Sequence, residues 1–202
     1  MILTCTKALM TAPMCYTLMA LITVISLWAI IDQRLFFHLL LHPNGIAASK
    51  EYYRLFTGDL VHNDLIHLLL NQIMLFTFGT RLEAYWLTIN KLGSLYFLVV
   101  YLCSNLMGST ITTIRHREDV DYTNTGASGS IIGCMFSYVM VQPDVIAFYV
   151  PVLGGVKNIF GGLICIVAYM VYQFRFRKDN INHEVHFFGG LGGILSTLVL
   201  NC

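Results

Sequence analysis

Long apolar stretches, separated by short polar or Pro- and Gly-containing segments, dominate the chain. A helix needs about 20 mainly apolar residues to cross a bilayer, and six stretches approach that length. The pattern therefore predicts an all-α membrane protein built as a bundle of six transmembrane helices. The predicted helices cover residues 14–31, 64–79, 92–112, 128–142, 156–174 and 183 to nearly the C-terminus.

The connections between these helices differ in character. Residues 32–61 are half apolar, with an apolar run at 35–41 followed by a Pro-Asn-Gly turn, which is typical of a segment that is partly embedded in the membrane. The remaining connections are short and polar, and none is long enough to divide the chain, so residues 1–202 are predicted to form a single domain. The charged positions assigned to these turns are Arg81, Glu83, Lys91, 115–121 and 175–182.

Composition and charge exclude several classes of protein. Of the 202 residues, 56% are hydrophobic and 11% are charged, against roughly 25% charged in an average soluble domain. Such a chain suits lipid, and the bilayer is its expected partner. The formal net charge of +1, without a run of Lys or Arg, argues against a nucleic-acid partner.

The six cysteines do not suggest a metal site. No CxxC pair is present, and Cys15, Cys103, Cys134 and Cys165 lie inside apolar stretches, where cysteine behaves as a small hydrophobic residue. Cys5 and Cys202 lie outside these stretches and have no recognisable motif around them. The sequence predicts neither a metal ion nor another cofactor.

Polar groups inside a membrane are costly and therefore mark candidate functional sites. The run HNDLIHLLLN at the second predicted helix carries His62, His67 and Asn71, of which the last two are four residues apart and share one helical face. His67 and Asn71 could donate to a single oxygen atom. A hydrogen bond between helices is the commoner explanation of such a pair, and this segment alone leaves both readings open.

Two further clusters stand at predicted helix starts. Ser128 follows Gly126 and Ala127, so its hydroxyl is flanked by small residues at a position where free backbone N–H groups could stabilise an oxyanion. A helix-capping serine is the commoner reading of this short motif. The sixth predicted helix begins with His183, Glu184 and His186.

Glycines could bring the fourth and sixth helices together. Gly129 with Gly133, and Gly189 with Gly193, each form a GxxxG pattern, which allows membrane helices to approach closely. If these faces meet, Ser128 and His186 can touch. A histidine base beside a serine is what activation of a hydroxyl nucleophile requires.

The motifs taken together resemble the rhomboid family of intramembrane serine proteases, from Glu51 to Gly193. The resemblance rests on their order: Tyr53-Arg54, then His62, His67 and Asn71 in HNDLIHLLLN, Gly79-x-x-x-Glu83, GSLYFLVVYL, GASG around Ser128, the loop Pro143 to Gly155, and His186-x-x-Gly189. Each motif alone is weakly specific, but their order on six hydrophobic segments makes coincidence an unsatisfactory explanation.

The resemblance implies a site without a third acidic member. Ser128 would be the nucleophile and His186 its base. The oxyanion would be held by His67, Asn71 and the backbone N–H of Ser128, with His62 in support. Glu184 is not recruited, because its side chain points about 200° away from that of His186 on an ideal helix.

The chain departs from the family pattern at three points. Ile132 stands where many members have an aromatic residue that packs on the catalytic histidine, and Tyr53 replaces a tryptophan. The charges also conflict with the family topology, which leaves open which side of the membrane the site faces. That topology puts four basic residues on the cytoplasmic side (Lys7, Arg81, Lys91 and Lys157) and eight on the other (Arg34, Lys50, Arg54, Arg115, Arg117, Arg175, Arg177 and Lys178), against the positive-inside rule.

The expected function is that of a serine endopeptidase that cleaves transmembrane segments of other membrane proteins. The expected location is the cell membrane or an inner membrane. The alternative is a non-proteolytic rhomboid-like protein that binds membrane clients, although such relatives usually lack the serine or the histidine. A transporter or channel would place ionisable residues in the middle of several helices, which this sequence does not.

Overall fold

The computed structural model describes residues 12–150, 154–176 and 183–201, and these are mainly helical. The longer helices are α1 (Pro13–Ile31), α5 (Leu65–Met74), α6 (Thr80–Ile89), α7 (Gly93–His116), α8 (Ser128–Val141), α9 (Asn158–Phe176) and α10 (His183–Leu200). The shorter ones are α2 (Gln33–Leu39), α3 (Pro43–Ser49) and α4 (Arg54–Thr57). Cys5, Lys7, Arg177, Lys178 and Cys202 lie outside the described residues.

Three helical stretches in the described part of the chain are both long and apolar enough to cross a membrane. They are Pro13–Ile31, Leu65–Ile89 and Gly93–His116. Helix α8 is also apolar but has only 14 residues. The helical character of the chain is thus established, while the number of six spans stays a prediction.

The predicted turn at Arg81 and Glu83 is wrong. Helix α5 continues through a π-helical turn, Leu75–Gly79, directly into α6, so both residues lie inside one continuous helical stretch that ends at Ile89. Glu83 is fully buried there. The free-energy cost of burying its carboxylate is offset by two hydrogen bonds, which it accepts from the N–H groups of Met14 (3.0 Å) and Cys15 (2.7 Å) at the start of α1. The hydroxyl of Ser94 donates to the same carboxylate at 2.6 Å.

The predicted loop between the fourth and fifth helices contains a β-hairpin. Strands β1 (Ile146–Val150) and β2 (Gly154–Lys157) pair antiparallel. A 2.6 Å ion pair joins Lys157, the last residue of β2, to Asp144, which lies just before β1. An all-α description therefore misses this element.

The segment between α1 and α5, residues 32–64, is called loop 1 here and is folded rather than extended. The Asp32 side chain caps α2 by accepting the N–H groups of Arg34 and Leu35. The buried Arg54 side chain donates to the carbonyl oxygens of Phe37 and Leu40, both at 2.9 Å. Loop 1 is therefore a folded segment that is held by internal hydrogen bonds and packed against the helices.

The centre of the protein is formed by α7, α8 and α10. Helix α10 packs against both α7 and α8, and these two also contact each other. Loop 1 adjoins the beginning of α8, where Leu41 and Asn124 exchange backbone hydrogen bonds of 2.9 Å in each direction. The candidate site lies at this meeting point.

Candidate active site

Ser128 is the first residue of α8, and the backbone before it is tightly constrained. Gly126 has φ +98°, a left-handed conformation that favours glycine. Its N–H donates to the carbonyl oxygen of Gly58 in loop 1 at 2.9 Å. Because a helix start leaves backbone N–H groups unpaired within the helix, the Ser128 region can offer donors to an oxygen atom.

The structure brings Ser128 and His186 into direct contact. The Ser128 Oγ lies 2.7 Å from the His186 Nε2, which is hydrogen-bond distance. His186 belongs to the first turn of α10, so the pair joins the starts of two packed helices. An imidazole nitrogen at this distance from a hydroxyl is placed to remove its proton.

Glycines permit the close approach of α8 and α10. A Cβ atom added to Gly189 would lie 2.5 Å from the carbonyl oxygen of Gly129, and one added to Gly133 would lie 2.7 Å from that of Gly189. A Cβ on Gly193 would overlap the backbone of Gly133. We call these four residues the glycine seam. It leaves no room for a side chain between the two helices.

Helix α10 approaches α7 just as closely. A Cβ on Gly108 would lie 2.9 Å from the carbonyl oxygen of Val185, and one on Gly192 would lie 2.8 Å from that of Cys103. The GxxxG patterns in the sequence predict only the contact between α8 and α10. Small residues of α7 such as Gly108 could have predicted this second contact. Because of it, the helix that carries His186 lies packed between α7 and α8.

His67 and His62 line the approach to Ser128. The His67 ring lies against Gly126, where an added Cβ would come within 2.6 Å of the His67 Cε1. The His62 and His67 rings meet edge to face, with 4.8 Å between centroids. His62 is fixed from the other side by a 2.8 Å hydrogen bond between its Nδ1 and the Ser26 hydroxyl. His62 thus supports the ring of His67.

Asn71 lies one turn beyond His67 and is buried. Its Nδ2 donates to the carbonyl oxygen of His67 at 2.9 Å. An amide nitrogen has two hydrogens, so one remains for another acceptor. Within the described residues, the Asn71 Oδ1 has no hydrogen-bond partner.

Ile132 does not leave an empty space beside α10. A Cβ on Gly190 would lie 2.9 Å from the Phe136 ring and 3.4 Å from Ile132. Phe136 stands one turn after Ile132 on α8, so an aromatic ring does pack on α10, but beside Gly190 and therefore one turn beyond His186.

Glu184 faces away from the serine and histidine pair, as its helical phase predicts. Its carboxylate lies 3.2 Å from both the Arg115 guanidinium and the His116 Nε2, at the end of α7. The His116 ring in turn stacks on Tyr122, with 3.8 Å between centroids. Glu184 therefore anchors the start of α10 to α7.

A buried carboxylate that was not predicted from the sequence lies behind α8. Asp59, in the 3-10 turn Gly58–Leu60 of loop 1, is 9% exposed. Its Oδ2 accepts hydrogen bonds from the hydroxyls of Tyr101 (3.1 Å) and Ser130, and the Asn105 side chain also bonds to it. No Lys or Arg of the described residues forms an ion pair with it. Burial raises the pKa of Asp59 to about 6, although these hydrogen bonds oppose the shift.

This raised pKa predicts a pH dependence of stability. Between the ordinary value of 3.8 and about 6 the folded protein holds the Asp59 proton more tightly than the unfolded chain, so the contribution of Asp59 to the free energy of unfolding falls as pH rises. We expect the unfolding temperature in detergent to fall relative to that of Asp59→Asn between about pH 4 and about pH 7. Parallel pH profiles of the two proteins would contradict the raised pKa.

The fold and this site define a class: a mostly helical integral membrane protein with a serine and a histidine hydrogen-bonded at a helix seam. The sequence profile of the Rhomboid domain matches residues 49–201. The chain therefore belongs to the rhomboid family.

Individual relatives agree with this assignment. YdcA of Bacillus subtilis (strain 168) is 33% identical over 148 residues, which are 73% of this chain and 67% of YdcA. The rhomboid protease GluP of the same organism is 27% identical over 78% of this chain and 28% of GluP. Rhomboid-like protease 3 of Toxoplasma gondii is 27% identical over 77% of this chain and 52% of that protein. The chain thus matches only part of the last two relatives.

Proposed function

We propose that this protein is an intramembrane serine endopeptidase in which Ser128 and His186 form the reacting pair. The observation that carries the proposal is the 2.7 Å contact between the Ser128 Oγ and the His186 Nε2. The names of two rhomboid relatives, which call them proteases, support the same activity.

The proposed reaction proceeds through an acyl-enzyme. The His186 Nε2 takes the Ser128 proton as the Oγ forms a bond to the carbonyl carbon of the scissile peptide. The resulting oxyanion is stabilised by the Ser128 N–H, with His67 and Asn71 as further donors. His186 then gives its proton to the leaving amine as the C–N bond breaks. A water molecule then gives a proton to His186 as its oxygen attacks the ester carbonyl, and His186 returns that proton to the Ser128 Oγ as the bond between Oγ and the acyl carbon breaks.

The proposed substrates are transmembrane segments of other proteins that unwind easily near the membrane surface. A regular helix hides its backbone carbonyls, so a scissile bond must leave the helix before Ser128 can attack it. The proposed location is the cell membrane or an inner membrane.

The alternative is a protein that binds membrane clients without cutting them. This function needs no hydrogen bond between Ser128 and His186. The presence of both residues at hydrogen-bond distance favours the protease.

Labelling with a fluorophosphonate tests the proposal on the purified full chain. The probe transfers its phosphonyl group to an activated serine, so we expect one labelled site, Ser128, and no labelling of Ser128→Ala. Cleavage of a reporter transmembrane segment in liposomes should accompany labelling. A folded protein that neither labels nor cleaves would support the client-binding alternative.

The oxyanion assignment predicts a specific kinetic effect. Asn71→Ala should lower kcat by about 100-fold and leave KM nearly unchanged, because a donor aimed at developing charge acts in the transition state. His67→Ala should behave in the same way. The two constants are measured with the reporter segment in detergent. A change confined to KM would instead indicate a structural hydrogen bond between helices.

A further inference from the structure

Loop 1 holds the start of α8 at two points that bracket Ser128. The carbonyl oxygen of Gly58 accepts the N–H of Gly126 at 2.9 Å, and the next residue, Asp59, accepts the hydroxyl of Ser130. Each anchor point is two residues from Ser128, one before it and one after it. A rotation or sliding of the first turn of α8 would therefore break at least one of these bonds.

The Asp59 end of this arrangement is itself fixed from α7. The Tyr101 hydroxyl and the Asn105 side chain both bond to the Asp59 carboxylate. Their positions, four residues apart, place them on one face of α7. The carboxylate thus joins three separate parts of the structure, namely loop 1, α7 and α8.

Joining loop 1, α7 and α8 through a buried carboxylate has a high free-energy cost. A buried carboxylate loses its hydration, and apolar side chains could fill the same space at lower cost. What a carboxylate adds is direction, because its oxygens accept several hydrogen bonds at defined angles. Asp59 bonds to the first turn of α8, whose orientation decides where the Ser128 hydroxyl points.

We propose that Asp59 is a positioning residue that fixes the first turn of α8 through Ser130. It keeps the Ser128 Oγ at hydrogen-bond distance from His186 and keeps the Ser128 N–H aimed at the developing oxyanion. The inference rests on the proposed function, since it concerns the orientation of the reacting serine. Asp59 itself touches neither the substrate nor the reacting atoms.

Asp59→Ala, Ser130→Ala and the double variant test this role in the full chain. We expect Asp59→Ala to lower both kcat and the rate of fluorophosphonate labelling per folded molecule by at least ~10-fold, because small displacements of a reacting group are costly. KM should stay unchanged. The double variant should lose little more than the worse single variant, since both residues act through one hydrogen bond.

Thr197→Val is the matched control. Thr197 is buried, and its hydroxyl donates to that of Ser137 at 2.6 Å, so the substitution also removes a hydrogen bond between α8 and α10. It does so away from the first turn of α8. Unfolding curves in detergent give the folded fraction of each variant at the assay temperature, and we expect Thr197→Val to keep the parental labelling rate per folded molecule.

The outcomes separate this inference from the proposed function. If the parent protein does not label at Ser128, the proposed function fails. If the parent labels and Asp59→Ala labels at the same rate per folded molecule, the positioning role is overturned. Should Asp59→Ala not fold, Asp59→Asn and Ser130→Ala take its place, and parental rates in both would overturn the role.

Discussion

Ser128→Ala and His186→Ala are each expected to reduce cleavage of a reporter transmembrane segment by about 10⁴-fold or more, while both proteins remain folded. The hydroxyl is not nucleophilic until its proton is removed, and the base has no function without the hydroxyl 2.7 Å away. The double variant should therefore be no less active than either single variant. Initial rates of reporter cleavage in liposomes measure the three effects.

A control variant and a measurement of unfolding show whether the loss of activity is specific to Ser128 and His186. Glu184→Gln alters the same turn of α10 as His186 but contacts Arg115 and His116 rather than Ser128, so it should keep far more activity than His186→Ala. Unfolding temperatures in detergent exclude loss of structure as the cause. Substantial cleavage by either alanine variant would remove Ser128 and His186 as the reacting pair.

Valine in the glycine seam is expected to reduce activity by more than ~100-fold, although no seam residue takes part in the chemistry. In Gly189→Val the new Cβ would stand 2.5 Å from the carbonyl oxygen of Gly129. Since backbone cannot move aside as a side chain can, α10 must shift and carry His186 away from Ser128. Gly133→Val should also reduce activity, because its Cβ would overlap the Ser104 side chain of α7 and lie 2.7 Å from the carbonyl oxygen of Gly189.

Leu198→Val provides the control on the same helix. Leu198 is 50% exposed and belongs to the last turn of α10, so its substitution should leave cleavage close to the parental rate. Activity is expressed per folded molecule, because the seam variants will also unfold at lower temperature. Parental activity in Gly189→Val would mean that the seam does not set the distance between Ser128 and His186.

The start of α8 could be predicted closely from the sequence because its signals are local. Ser128 is preceded by the small residues Gly126 and Ala127, and it begins an apolar run that ends before Pro143. The observed helix, Ser128–Val141, confirms that prediction. The GxxxG patterns likewise pointed to faces that the structure brings together, because small residues mark close helix contacts irrespective of their neighbours.

The continuation of α5 into α6 could not be predicted in this way. Charged residues such as Glu83 normally end an apolar segment. Here the cost of burial is offset by the N–H groups of Met14 and Cys15, which are close in space and far away in sequence. Hydropathy along the chain does not reveal such a partner.

Asp59 was missed for the same reason, since its three donors come from α7 and α8. The hairpin is different, because a local signal was present. The run from Val145 to Val150 is rich in the β-branched and aromatic residues that favour strands, but the resemblance to the rhomboid family implied a loop from Pro143 to Gly155.

The cap that Glu83 places on α1 also bears on the order in which the protein assembles during synthesis. The N–H of Cys15 reaches its carboxylate partner 68 residues later in the chain. Until residue 83 has been synthesised this bond cannot form, so the N–H groups at the start of α1 need other acceptors. The capping of α1 by Glu83 is therefore completed later in synthesis than the contact between α1 and loop 1, in which the Ser26 hydroxyl donates to the carbonyl oxygen of Leu60.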